Sequence, residues 1–102
     1  MRMLINIAFP IAEFNALVAK GTIGQTIKSI LDDQKPEAVY FTEMHGGRGM
    51  VMVIDIPGPS HVAIIAEPWF LKFKATMEFR IVMSSEELGS AGLDALGKKW
   101  SG

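Results

Sequence analysis

A histidine two residues after a carboxylate is the best-spaced pair for chemistry in this sequence. Glu43 and His45 would share one face of any strand that ran through both. So placed, they suit a general base with an orienting partner, or two ligands of a divalent ion. The chain holds only two histidines and no cysteine, so a metal site would lack the further ligands it needs, and a plain surface hairpin is the competing reading. No metal and no cofactor are therefore expected. The second histidine, His61, follows Ser60, where a neutral imidazole is tolerated at the positive end of a helix. It is a weaker candidate for catalysis. Gly46, Gly47, Arg48 and Gly49 could present successive backbone N–H groups and a guanidinium to an anion. They lack the lysine and spacing of a P-loop and the pattern of a dinucleotide fingerprint, so a turn is the simpler reading.

Isolated polar residues in apolar runs are the other places where function could sit. Asn6 interrupts a strand-like run, and a buried amide must find partners or cost about 1 to 3 kcal/mol. Glu78 and Arg80 share one strand face opposite Met77, Phe79 and Ile81, where they can pair with each other's copies or fix a polar substrate. Trp69, Phe70 and Phe73 crowd the stretch after Pro68; such clusters line small-molecule pockets, and more often fill cores. Seven methionines suggest an adaptable interior.

The elements that must position these residues follow from periodicity. Residues 2–9, RMLINIAF, read as a buried strand stopped by Pro10. Phe14, Leu17, Val18, Ile23, Ile27, Ile30 and Leu31 then recur at threes and fours, the stripe of a helix that Gly21 and Gly24 should split in two. Pro36 launches the strand AVYFTEM, HGGRG connects it as a hairpin to MVMVIDI, and Pro57-Gly58-Pro59 ends that third strand. Ser60 can cap a helix over HVAIIAE, with a break at Pro68 and a fresh turn, PWFLKF. ATMEFRIVM alternates as a fourth strand. Ser84 with Glu87 makes a capping box for a last helix carrying Leu88, Ala91, Ala95, Leu96 and Trp100, in which Gly89, Gly92 and Gly97 weaken the helix and Trp100 should be the anchor.

Strand, helix, strand, strand, helix, strand is the ferredoxin-like order, so an α+β domain with a four-stranded antiparallel sheet is expected over residues 1–102. Its helices cover one sheet face. The other face carries so few polar residues that it too should be covered, and a second copy is the simplest cover: a homodimer with its open sheet faces meeting as a barrel-like sandwich. The formal charge of −1 gives no basic field for nucleic acid or anionic lipid, and no apolar run reaches membrane-spanning length. A soluble, cytoplasmic protein without nucleic-acid or membrane partners is expected.

KPEAVYFTEMHGGRG, AEPWFLKFKA, VMSSEEL and AGLDALGKKW resemble the dimeric α/β barrel superfamily, and within it small bacterial proteins of unknown function, some carrying a pantothenate-synthetase-like label. Pantothenate synthetase itself is a far longer enzyme with ATP-binding histidine motifs that are missing here. The superfamily includes cofactor-free monooxygenases, lactone isomerases, stress-responsive proteins and haem-degrading enzymes. For haem degradation the resemblance would imply Asn6 on the first strand, Trp69, and an axial histidine late in the second main helix; that helix ends WFLKFKA, which disfavours it.

The leading expectation is a homodimer that binds a small apolar or aromatic molecule, in a mainly apolar pocket between sheet and helices touched by Asn6, Tyr40, Trp69, Glu78 and Arg80. Two alternatives stand beside it. One is a cofactor-free monooxygenase or isomerase with His45 or Glu43 as base; the other is a purely structural association module.

Overall fold

Alternation in the strands and a single central position for the first of them organise the whole molecule. The computed structural model describes residues 1–102 and contains β1 (Arg2–Phe9), α1 (Ile11–Lys20), α2 (Ile23–Gln34), β2 (Ala38–Met44), β3 (Gly47–Asp55), α3 (His61–Phe73), β4 (Thr76–Ile81), α4 (Ser85–Gly89) and α5 (Leu93–Trp100). All neighbouring strands pair antiparallel in the order β2-β3-β1-β4, which is the ferredoxin-like α+β arrangement. Every second residue of the two central strands points under the helices: Met3, Ile5, Ile7 and Phe9 from β1, and Met50, Met52 and Ile54 from β3, are all buried. Ile30 of α2 and Ile65, Trp69 and Phe73 of α3 close that core. Phe9 meets both Trp69 and Phe73, at ring-centroid distances of 6.1 and 5.0 Å, so one aromatic cluster ties sheet to helix.

Gly21 ends α1 in the left-handed region (φ 73°), with its N–H on the carbonyls of Leu17 and Val18, while Gly24 lies inside α2. Only the first of the two expected breakers breaks. The expected interruption at Pro68 does not occur: α3 runs continuously from His61 to Phe73. A helix-interior proline costs about 3 kcal/mol, and burial of Trp69 and Phe73 on the same helix offsets it. A side chain also helps, since Gln34 Nε2 donates to the Ile65 carbonyl at 2.8 Å and Gln34 Oε1 accepts from Trp69 Nε1 at 3.1 Å. Ser60 makes no capping hydrogen bond; α3 is entered through a turn in which the His61 N–H donates to the Gly58 carbonyl.

The hairpin turn is shorter than HGGRG. His45 (φ 53°) and Gly46 (φ 82°) are its two central residues, both left-handed, as a type I′ turn demands, and Gly47, Arg48 and Gly49 already belong to β3. Ser84 and Glu87 form the expected capping box on α4. The last helix, however, is two helices joined through Gly92 (φ 71°), and Trp100 is 75% exposed rather than packed.

Candidate functional site on the open sheet face

The residues of β1 and β3 that do not enter the core form the opposite face of the sheet, which no helix covers. Leu4, Ala8, Val51 and Val53 are half-buried there, an apolar floor. The register places the polar residues on it in order. Tyr40, Val51, Asn6 and Glu78 are successive partners across all four strands, and the next row is Ala38, Val53, Leu4 and Arg80. With strands about 4.8 Å apart, Tyr40 and Glu78 stand roughly 14 Å from each other with Asn6 between them. Four of the five residues expected to touch a ligand, Asn6, Tyr40, Glu78 and Arg80, therefore share one face.

Trp69 does not. It is fully buried on the helix side, hydrogen-bonded to Gln34 and stacked on Phe73 at 5.6 Å. Nor does the space between sheet and helices hold a pocket: it is filled by Trp69, Phe73, Ile5, Ile7, Met50 and Met52. The correction has a simple cause. Trp69 and Asn6 come from elements on opposite sides of the β1 pleat, and one apolar pocket cannot be lined through the sheet.

Chemically the open face offers a hydroxyl, an amide, a guanidinium and a carboxylate over aliphatic side chains. Arg80 and Glu78 form an exposed ion pair at 3.8 Å, a contact that adds little to stability and leaves both free to re-pair. The Asn6 amide is half-exposed and enters none of the side-chain hydrogen bonds of the chain. At the end of the face where β1 and β2 begin and β3 and β4 end, Glu37 takes three hydrogen bonds of 3.1 to 3.2 Å from Arg2, which with its charge raise the guanidinium pKa further.

At the other end of the sheet lies a cleft of about 320 Å³. Ala8, Met44 and Thr76 bring the open face into it, and His45 stands on its rim. His45 and Glu43 are both exposed and do not form the expected pair: the strand ends at Met44, His45 turns left-handed, and the Glu43 carboxylate instead accepts from the Gly46 N–H at 2.5 Å. Arg48 is likewise engaged, donating to Asn15 Oδ1 at 2.8 Å and stacking over Phe14, so it presents no anion site with the turn. His61 is half-buried at the start of α3. No three histidine, aspartate or glutamate side chains gather into a metal-binding set.

Two features of the site were missed in the sequence. Gly49 lets Met44 fold across the face, since a Cβ on Gly49 would lie 2.4 Å from the Met44 Cβ. The alignment of Gly49 between Ala8 and Thr42 would have signalled this, had the register been known. Gln34, at the end of α2, carried no signal, because its partners are 31 and 35 residues away.

No protein-family model matches the chain, and no curated protein matches it either. Solved structures do. The 5-chloro-2-hydroxyhydroquinone dehydrochlorinase of Burkholderia phenoliruptrix AC1100, in complex with 2,5-dihydroxybenzoquinone, is similar with a TM-score of 0.63 at 12% identity, over 85% of this chain and 98% of its own. The chain has a ferredoxin-like α+β fold. The de novo designed protein Ferredog-Diesel is similar at 15% identity and a TM-score of 0.46, over 79% of this chain and 85% of its own. At these identities the likeness concerns the fold alone. No helix is long and apolar enough to cross a membrane.

Proposed function

We propose that the protein is a homodimer of the dimeric α/β barrel type that binds a small apolar or aromatic molecule on the open sheet face, enclosed when the faces of two copies meet. One observation carries this reading: four strands each deliver residues to a half-wet apolar floor on which Asn6, Tyr40, Glu78 and Arg80 are the polar groups, an arrangement that resembles a ligand site more than a solvated face. The ligand of the dehydrochlorinase, 2,5-dihydroxybenzoquinone, illustrates a molecule of suitable chemistry: a flat ring for the floor, with oxygens for Asn6, Tyr40 and Arg80.

Light scattering on the purified chain tests the dimer, and titration with 2,5-dihydroxybenzoquinone followed by backbone amide shifts tests the face. Shifts at Asn6, Val51 and Glu78 support the reading. A dimer whose amides there stay unchanged with this probe, and which releases no small molecule under native mass spectrometry, would favour the association module instead.

A second reading rests on His45. Its place on the rim of a cleft that continues onto the open face suits a general base in cofactor-free isomerisation or oxygenation. Glu43, already spent on the turn, is not its partner. Loss of turnover in His45→Gln with ligand binding intact would support this reading.

A further inference from the structure

The sheet ends in an open strand on each side, β2 at one edge and β4 at the other. Hydrogen-bond parity tells which backbone groups of β4 point outward. The Val82 N–H donates to the Arg2 carbonyl at 3.0 Å, and the β1–β4 register runs on from that pair through Leu4↔Arg80, Asn6↔Glu78 and Ala8↔Thr76. Antiparallel strands alternate bonded and non-bonded pairs, so Thr76, Glu78 and Arg80 bond β1, and the N–H and C=O groups of Met77, Phe79 and Ile81 face away from the sheet with no partner in the chain. Nothing blunts that edge: Thr76–Ile81 contains no proline, glycine or bulge, and Ile81 is 65% exposed.

We propose that β4 pairs in the plane of the sheet with β4 of a second copy, antiparallel and centred on Phe79, so that two sheets join into one. The strand itself specifies this occupant. An antiparallel pair of identical strands is two-fold by construction, and because directly opposed residues share a face, the axis passes through one residue that meets its own copy. With Phe79 at that point, Met77 lies opposite the partner's Ile81, and the outward N–H and C=O groups of all three residues find partners. On the open face the same register sets Glu78 opposite the partner's Arg80, and Arg80 opposite the partner's Glu78. These are non-hydrogen-bonded positions with Cα atoms about 4.5 Å apart, nearer than the roughly 6.8 Å between Glu78 and Arg80 along one strand. Opposite charges so placed stabilise a strand pair and like charges destabilise it.

The charge pattern selects both the register and the edge. Centring the pair on Glu78 or on Arg80 sets like charges against each other, so Phe79 is the centre that leaves none opposed. β2 has no such self-complementarity: its single charged residue, Glu43, meets Val39 when that strand is centred on Phe41. The weak contact between Glu78 and Arg80 within one chain, exposed and 3.8 Å long, gives way to the closer cross-strand pair. The pairing goes beyond the face-to-face dimer proposed above and does not rest on it, because the edge groups lie in the plane of the sheet and a contact between faces leaves them free. It also lengthens the candidate site, since the row Tyr40, Val51, Asn6, Glu78 continues across the seam into the partner's Arg80 and the partner's Leu4.

Exchanging the charges tests the register. Glu78→Arg and Arg80→Glu, both at exposed positions, each set like charges opposite one another. Each is expected to weaken self-association in analytical ultracentrifugation at least tenfold with an unchanged circular dichroism spectrum, and an equimolar mixture of the two variants is expected to restore it. Unchanged association in the single variants, or no recovery in the mixture, overturns the proposal. The chain has no cysteine, so introduced thiols report cleanly. Chains carrying Met77→Cys, mixed with chains carrying Ile81→Cys and oxidised, are expected to give a 77–81 disulfide between chains in excess over 77–77 and 81–81. A dimer in light scattering that forms no 77–81 disulfide overturns the edge pairing while leaving the face-to-face dimer standing. A chain that stays monomeric overturns both.

Discussion

The two tryptophans occupy opposite extremes of the same small molecule. Trp69 has no exposed surface, a hydrogen bond on its indole nitrogen and phenylalanines on its faces; Trp100 is 75% exposed, with only Lys99 over its ring, 5.1 Å from the centroid. One belongs to a core that the chain completes alone. The other stands in water at the end of the last helix. The same contrast runs through the sheet, where Ile5 and Ile7 are sealed while their neighbours Leu4, Asn6 and Ala8 stay half-open. The two faces of one sheet thus differ in completion: the chain's own helices seal one and leave the other half-open.

The largest expected effect comes from removing the sealed tryptophan. Trp69→Ala should cost about 3 to 5 kcal/mol in urea unfolding, through an unfilled cavity and an unpaired Gln34, whereas Trp100→Ala, at an exposed position, should leave chain stability within about 0.5 kcal/mol. Equal losses from the two would erase the distinction. Gly49→Ala tests the boundary between the regions, since its new Cβ would fall on Met44 and within 3.2 Å of the Ile7 carbonyl; a destabilisation of about 1 to 3 kcal/mol is expected. Gln34→Ala should cost about 1 to 2 kcal/mol by freeing Trp69 Nε1 and the Ile65 carbonyl, measured in the same unfolding assay. On the open face, Asn6→Leu should leave monomer stability nearly unchanged yet lower affinity for 2,5-dihydroxybenzoquinone about tenfold, a difference of about 1.4 kcal/mol.

The smallest effect is a pH response of α4. Hydrogen bonds with Ser84, chiefly from its backbone N–H, hold the Glu87 carboxyl below the usual glutamate range. A depressed folded value stabilises α4 above the unfolded pKa of about 4.3, and that contribution disappears as pH falls through the lower folded value. Protection factors at Glu87 and Leu88, which correct exchange for its intrinsic pH dependence, should therefore fall on acidification, and Ser84→Ala should show the low protection of the Glu87 amide already at neutral pH.

The sheet was legible because its signals are local: Pro10, Pro36 and Pro57 punctuate the strands, and alternation in ATMEFRIVM assigns Met77 and Phe79 to the core and Glu78 and Arg80 to the open face. That Asn6 and Tyr40 share this face with Glu78 and Arg80 depends on the register between strands, which period two within each strand does not give. Trp69 was misassigned to the ligand site because an aromatic cluster reads alike in a core and in a pocket until the face is known. Helix ends read less well. A proline at position 68 looks like a break when its neighbours are considered; the burial of Trp69 and Phe73 and the Gln34 bridge that hold the helix together lie outside that window. The separation of Glu43 from His45 turned on the single left-handed residue after Met44, which nothing but the turn type dictates.

That glutamine has a kinetic corollary. The carbonyl of Ile65 and the indole of Trp69 find one partner at the far end of another helix, more than 30 residues back in the chain. Before the two helices dock, α3 is a proline-interrupted segment of low intrinsic persistence; afterwards it is a continuous rod. Its completion is thus tied to a long-range encounter, so α2 and α3 should gain order in the same step of folding, with Gln34→Ala speeding unfolding if that contact forms after the rate-limiting barrier and slowing folding if it forms before.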